Sequence, residues 1–345
     1  MTERLVDAQP TSHRAERGAA SVFSLRRALL ALVVVATLFA IRVTAPREIA
    51  LTDAVQDFIT LSISVLIESL PFVMLGIGLS VVVQLWVPQW VLLRMLPRTP
   101  VLRRAALSLL GVLLPVCECG NVPLARGLVV RGIAVPDAIT FLLAAPILNP
   151  IIIVVTYQAF GFSDGILFWR VFGGFLIANL VGWLFSRHGR PEDLLTPRFQ
   201  DSCKVHSHAH EQDKGVQALR MCGAEMNAML PALVVGCAVA GFIQVAVSRD
   251  LLLTLGQSPV WSVLALMGLA FVIAICSTVD AFFVLSLGSL FTPGAVVAFL
   301  VFGPMIDIKM LALMRTTFTA STLVLLTAVV ALLTAVLGLA VNLAV

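Results

Sequence analysis

Seven stretches of this chain, at about residues 28–45, 61–87, 137–158, 165–186, 225–247, 294–313 and 318–344, stay apolar over lengths close to the thickness of a bilayer. A helix needs about 20 apolar residues to cross the hydrocarbon core, and only helices or closed barrels satisfy their own backbone there. Composition agrees: 59% of residues are hydrophobic and 12% charged, against about 25% charged in a soluble domain. The chain reads as an all-α polytopic protein of the cell membrane, with the lipid bilayer as its first partner. A formal net charge of +4 gives no case for nucleic acid. In such a chain Lys and Arg report loop orientation instead.

Two shorter apolar pieces, 105–116 and 260–275, each run into a polar island. The first is Cys117-Glu118-Cys119-Gly120-Asn121-Val122-Pro123; the second is Cys276-Ser277-Thr278-Val279-Asp280. Thiols, carboxylates and amides at membrane depth are costly, so they usually face a pathway or a binding site. Basic residues cluster in the N-terminal tail, after the 61–87 stretch (Arg94, Arg98, Arg103, Arg104) and in the loop 187–223. All three clusters fall on the cytoplasmic side if 105–133 enters the membrane, breaks at the cysteines and returns. A full crossing would put the long loop outside, and Arg126 and Arg131 favour the re-entrant form.

The halves resemble each other. Leu70-Pro71, Gly76 and Gln84 recur as Leu230-Pro231, Gly236 and Gln244, Cys117 recurs as Cys276, and Ala145-Pro146-Ile147-Leu148-Asn149 as Gly303-Pro304-Met305-Ile306-Asp307. The three matches are collinear at a nearly constant offset of about 160 residues. Three full crossings per unit make the second copy inverted, a common transporter plan in which broken helices meet near the midplane. The expected fold is therefore two inverted repeats, each with three spans and a broken or re-entrant hairpin, plus an N-terminal span. Its parts are a cytoplasmic tail (1–27), a span (28–45), a first repeat (55–186), a histidine-containing cytoplasmic linker (187–223) and a second repeat (224–345). The 28–45 stretch follows Arg26-Arg27, and Val43-Thr44-Ala45-Pro46 is a poor cleavage site, which favours an anchor over a signal peptide.

Thiolates prefer soft and borderline species. In a regular helix Cys117 and Cys119 would point to different faces; at a break ending in Gly120 both can turn toward one cavity, and an inverted second copy would bring Cys276 to join them. The alternative is that each is a small buried hydrophobe, the reading preferred for Cys222 and Cys237. Asn149 precedes Pro150, so a helix starts or kinks there and frees carbonyls. Asp307 holds the matching place. Carboxylates at depth that exchange protons suit a coupled exporter, which makes Glu68, Asp280 and Asp307 coupling or pathway candidates. Lys309 lies two residues from Asp307, a spacing that helical geometry does not favour for a direct pair. Pro71, Pro146, Pro304, Gly120 and Gly303 read as helix-breaking or close-packing positions.

The run Pro115-Val-Cys117-Glu118-Cys119-Gly120-Asn121-Val-Pro123-Leu-Ala125-Arg126-Gly-Leu, with Phe141-Leu-Leu-Ala-Ala-Pro146-Ile-Leu-Asn149-Pro150, Cys276-Ser-Thr-Val-Asp280-Ala281-Phe282 and Phe299-Leu-Val-Phe-Gly303-Pro304-Met-Ile-Asp307-Ile-Lys309, resembles the signature of a bacterial predicted-permease family. That family includes the organoarsenical efflux permeases (ArsP-type). The resemblance covers roughly residues 55–345 and departs at Glu118, where a small residue is expected. It implies a permease exporting a small soft, thiol-reactive solute such as a trivalent organoarsenical. Cys117, Glu118, Cys119, Asn121, Asn149, Cys276 and Asp280 would then form the substrate site, with Glu68 and Asp307 on the coupling pathway.

Cys203-Lys-Val-His206-Ser-His208-Ala-His210 is the one soluble stretch with metal character. His206, His208 and His210 could bind zinc, copper or nickel, although a flexible charged linker between the halves is the preferred reading. Alternative functions are a divalent transition-metal exporter and a non-transporting subunit of a larger complex. Cys117 and Cys119 are spaced too closely for the usual redox pair. No phosphate-cradling loop, zinc-protease motif or nucleophile elbow is present, so neither an enzyme nor a cofactor is expected. Homo-oligomer and partner subunit both stay open.

Overall fold

The computed structural model describes residues 53–344, apart from 89, 92–93, 95, 115, 163–164, 206–213, 247–258 and 288–290. The expected 28–45 span and His206, His208 and His210 lie outside the described residues. Within them the chain is helical: α1 Asp53–Trp86, α2 Pro100–Leu113, α3 Glu118–Val130, α4 Val135–Leu148, α5 Pro150–Phe160, α6 Ile166–Phe185, α7 Pro197–Val205, α8 Lys214–Ala246, α9 Pro259–Ile273, α10 Asp280–Leu285, α11 Pro293–Met305, α12 Ile308–Met314 and α13 Ala320–Ala344. Five stretches are long and apolar enough to cross a bilayer: α1, α6, α8, α13 and the run Pro293–Met314. The pair α4–α5, bent by 41° at its break, makes a sixth.

The two broken hairpins are held by different sets of contacts. The start of α2 meets the start of α4 through ion pairs from Arg103 and Arg104 to Asp137. The end of α3 lies against the end of α1, where Arg131 Nε donates to the Val83 carbonyl (3.3 Å). The hairpin α2–α3 is thus held by α4 at its start and by α1 at its end. In the second half Ser262, near the start of α9, meets Thr292 just before α11, and Gly294 N donates to Asn342 Oδ1 near the end of α13 (2.8 Å).

Two local causes break the first hairpin. Leu114 precedes a proline and is extended, as the residue before proline prefers. Cys117 is extended too and caps α3, its carbonyl accepting from Gly120 N and Asn121 N. In the second hairpin the Cys276 carbonyl accepts from Val279 N and Asp280 N in the same manner. The chain turns out of α9 at Ala274, which has a left-handed φ of 51°, a conformation that costs a non-glycine residue of order 1 kcal/mol or more.

The prolines divide. Pro71 lies well inside α1, which runs on to Trp86, whereas α4 ends at Leu148, two residues after Pro146, and α11 at Met305, one residue after Pro304. The actual interruptions fall at Asn149 and at Ile306–Asp307, where the backbone is extended. Gly76 and Gly120 do pack closely: a Cβ on either would collide with the facing backbone of α3 or α1. α8 begins at Lys214, inside the range assigned to the linker. The linker is also structured in part. Leu195 forms an antiparallel bridge with Phe318, Thr196 N donates to Thr317 O (2.8 Å) and Thr319 N to Leu194 O (3.0 Å), so 194–196 is held against the turn between α12 and α13.

Candidate functional site

The two polar islands meet in the interior. Cys117, Cys119 and Cys276 are all buried, and the Cys117 thiol neighbours both of the others. The two Sγ atoms of Cys117 and Cys119 and a Glu118 carboxylate oxygen lie within 4.8 Å of one another. All three are free thiols, and Thr278 Oγ1 donates to Cys276 Sγ (3.3 Å).

Glu118, only 1% exposed, joins the two hairpins. Ser277 Oγ donates to its Oε2 at 2.8 Å, and Lys309 Nζ faces its Oε1 at 3.1 Å. Lys309 Nζ also donates to the Ala274 carbonyl at 2.8 Å and lies 3.6 Å from Asp307 Oδ2. A buried carboxylate needs such compensation, since an unpaired charge in a low-dielectric interior costs several kcal/mol (order of magnitude). Lys309 and Asp307 therefore do pair, against the expectation from their spacing. Asp307 is not in a helical turn with Lys309 but extended (φ −134°, ψ 171°), and it caps α12 by accepting from Met310 N (2.6 Å).

The other expected residues divide by what holds them. Asp280 is bound by Arg170 of α6 in a fork, at 2.6 Å and 3.1 Å, and Arg170 also donates to Thr156 Oγ1 (2.8 Å). Asn149 uses both ends of its amide: Oδ1 accepts from Ile151 N (2.9 Å) and Nδ2 donates to the Val116 carbonyl (3.3 Å). It thereby ties the α4–α5 break to the first hairpin. Asn121 is completely buried, and neither amide atom finds a hydrogen-bond partner among the described residues. Glu68 is not part of the thiol cluster. It lines a cavity of about 280 Å³ with Ser64, Gln244, Ile273, Ala274 and Phe283, and Gln244 Nε2 donates to the Ile273 carbonyl (2.8 Å) at the end of α9. The cavity thus abuts the segment whose Ala274 carbonyl holds Lys309.

Toward the linker, a second polar contact spans the halves. Arg126 of α3 bonds Glu225 of α8 (3.0 Å), the Thr316 carbonyl (3.1 Å) and Thr317 Oγ1 (3.0 Å), with its guanidinium 4.3 Å from the ring centroid of Phe199 in α7. Cys203, also in α7, has its thiol pushed up by partial burial, opposed by the nearby Arg126 charge.

Sequence reasoning treated Lys309 only as an awkward neighbour of Asp307 and passed over Arg170, Ser277 and the Arg126–Glu225 pair. A signal existed. Arg170 and Lys309 each sit inside an apolar stretch, and a cation at that depth requires an anion; Asp280 and Glu118 were the obvious unpaired carboxylates.

A family model described as a predicted permease, ArsP_1, matches residues 54–343. The UPF0718 protein YcgR of Bacillus subtilis is 37% identical over 256 residues, covering 74% of this chain and 87% of that protein. A Streptococcus mutans protein, named as a candidate subunit of a two-component membrane permease complex, is 34% identical over 272 residues, covering 78% of this chain and 89% of its own length. No solved structure matches.

Proposed function

This chain belongs to the predicted-permease family of multi-pass cell-membrane proteins, and from that premise we propose that it exports a small, soft, thiol-reactive solute, such as a trivalent organoarsenical, by alternating access. The observation that carries this reading is that the two broken hairpins bring the buried Cys117, Cys119 and Cys276 next to one another. Three thiols in a dry interior suit a trivalent metalloid, a soft acceptor. Each thiol that binds displaces one hydroxide of the solute as water, its proton leaving with that hydroxide, so a methylated trivalent arsenical with two hydroxyls engages two thiols at a time and brings no net charge into the interior. The unpartnered Asn121 amide supplies donor and acceptor capacity for a hydroxyl not yet displaced.

In this reading the two halves act as inverted repeats, with the thiols at their common centre. Glu118, Ser277, Lys309 and Asp307 fix the hairpins to each other around the cargo. Glu68 supplies a carboxylate in the cavity behind Ala274, placed to take up a coupling proton. The chemistry is binding and release rather than catalysis, so the chain acts as a transporter and not as an enzyme. Everted vesicles carrying it should accumulate trivalent methylarsenite, and serine at Cys117 or Cys119 should reduce uptake to that of empty vesicles. Unchanged uptake in the Cys117→Ser, Cys119→Ser and Cys276→Ser variants would remove the thiols from the mechanism.

A second reading, a subunit of a larger membrane complex, is favoured by the name of the Streptococcus mutans relative.

A further inference from the structure

Cys117, Glu118 and Cys119 form a donor set that suits more than a neutral cargo. Their two sulfurs and one carboxylate oxygen, all within 4.8 Å of one another, are also a ligand set for a soft or borderline dication. What separates the two uses is Lys309.

We infer that Lys309 is a charge filter: it masks a latent dication site made by Cys117, Cys119 and Glu118 and thereby restricts the thiol cluster to uncharged cargo. The inference deepens the thiol-site reading above and rests on it for the cargo. Neither Glu118 oxygen is free, since Ser277 occupies Oε2 and the Lys309 ammonium lies 3.1 Å from Oε1. Lys309 cannot swing aside to release the carboxylate. Its side chain is 2% exposed and its Nζ is held at 2.8 Å by the Ala274 carbonyl and at 3.6 Å by Asp307. The backbone that presents it is fixed as well, because Gly236 of α8 packs directly on the Lys309 Cα.

Coulomb repulsion then decides between cargoes. Two like charges at contact distance in a medium of low dielectric repel by several kcal/mol (order of magnitude). A dication at the thiols would meet a fixed ammonium on the far side of its only carboxylate ligand. A neutral trivalent hydroxide meets no such barrier. Lys309 belongs to the second half and Glu118 to the first, so the filter exists only while the two hairpins are together.

The test uses the purified full-length chain in detergent, with Cd2+ alone as probe and the ultraviolet thiolate-to-cadmium charge-transfer band as readout. Wild type should bind Cd2+ weakly. Lys309→Met, which keeps the length of the side chain and removes its charge, should bind Cd2+ at least about tenfold more tightly. Adding Glu118→Gln should abolish the gain, and adding Cys117→Ser should abolish the band. Size-exclusion elution checks that Lys309→Met is folded, and Lys309→Gln replaces it if it aggregates. A monodisperse Lys309 variant that binds no more Cd2+ than wild type overturns the filter, as does a gain that survives Glu118→Gln. Phenylarsine oxide binding to wild type is measured in parallel. If wild type ignores that arsenical, the cargo reading fails, while the Cd2+ comparison still decides the filter.

Discussion

Arg170 and Asp280 show what a single charge demands at this depth. The pair is bidentate, nearly inaccessible and 110 positions apart in sequence. It joins α6 of the first half to α10 of the second, with Thr156 of α5 as a third member. Removing one partner of a buried pair strands the other. Arg170→Met should lower stability by about 3–5 kcal/mol, seen as a lower thermal midpoint in detergent. The double variant Arg170→Met with Asp280→Leu should recover most of that loss, since an apolar pair of similar volume is often neutral. Uptake by the double variant then assigns Asp280. Stability regained with uptake still lost makes it a pathway residue; both regained make it purely structural.

At the scale of elements, the hairpins depend on how closely α3 approaches α1. Gly76 and Gly120 face each other across that contact with no room for a Cβ. Gly120 follows Cys119, so the contact that sets the helix distance also aims the thiols. Gly120→Val should push α3 outward at a cost of about 1–3 kcal/mol and abolish uptake while the chain still inserts, checked by vesicle uptake against protein level. Much of this architecture was legible in the sequence. Apolar length gave the spans, the duplicated polar islands gave the breaks, and the offset repeat gave the expectation that Cys276 would approach Cys117. Less legible was where a proline helix ends. Pro71 lies in a helix that runs on to Trp86, because neighbouring helices support a kinked segment that an isolated one could not keep, whereas α4 ends two residues after Pro146. Pairings across the halves were illegible for another reason: Lys309 meets Glu118 only after two breaks and the folding of α12, and Asp307 pairs with Lys309 only because it has left the helix. The linker was read as unstructured since its docking rests on backbone bonds of 194–196 and 317–319, which composition does not encode.

Over the whole molecule, the thiol cluster lies between two unlike barriers. On the linker end Arg126 bridges α3, α8 and the α12–α13 turn, and Phe199 of the linker covers it. Away from that end, the Glu68 cavity reaches up to the Ala274 segment. The alternating access proposed above requires the Arg126 contact to open. Arg126→Ala should weaken it, and Cys203, half-buried on the docked α7, should then react faster with N-ethylmaleimide in a Cys222→Ser background. The exchange Arg126→Glu with Glu225→Arg should slow the reaction again. An unchanged rate in Arg126→Ala would separate α7 from the closure.

Glu118 takes its hydrogen bond from a serine 159 positions further along the chain, and its cation comes later still. A ribosome that has finished the first half has therefore made a carboxylate whose neutralising partners do not yet exist. Translation order thus sets when the ionised Glu118 gains its compensation: its serine and its ammonium arrive only with the second half.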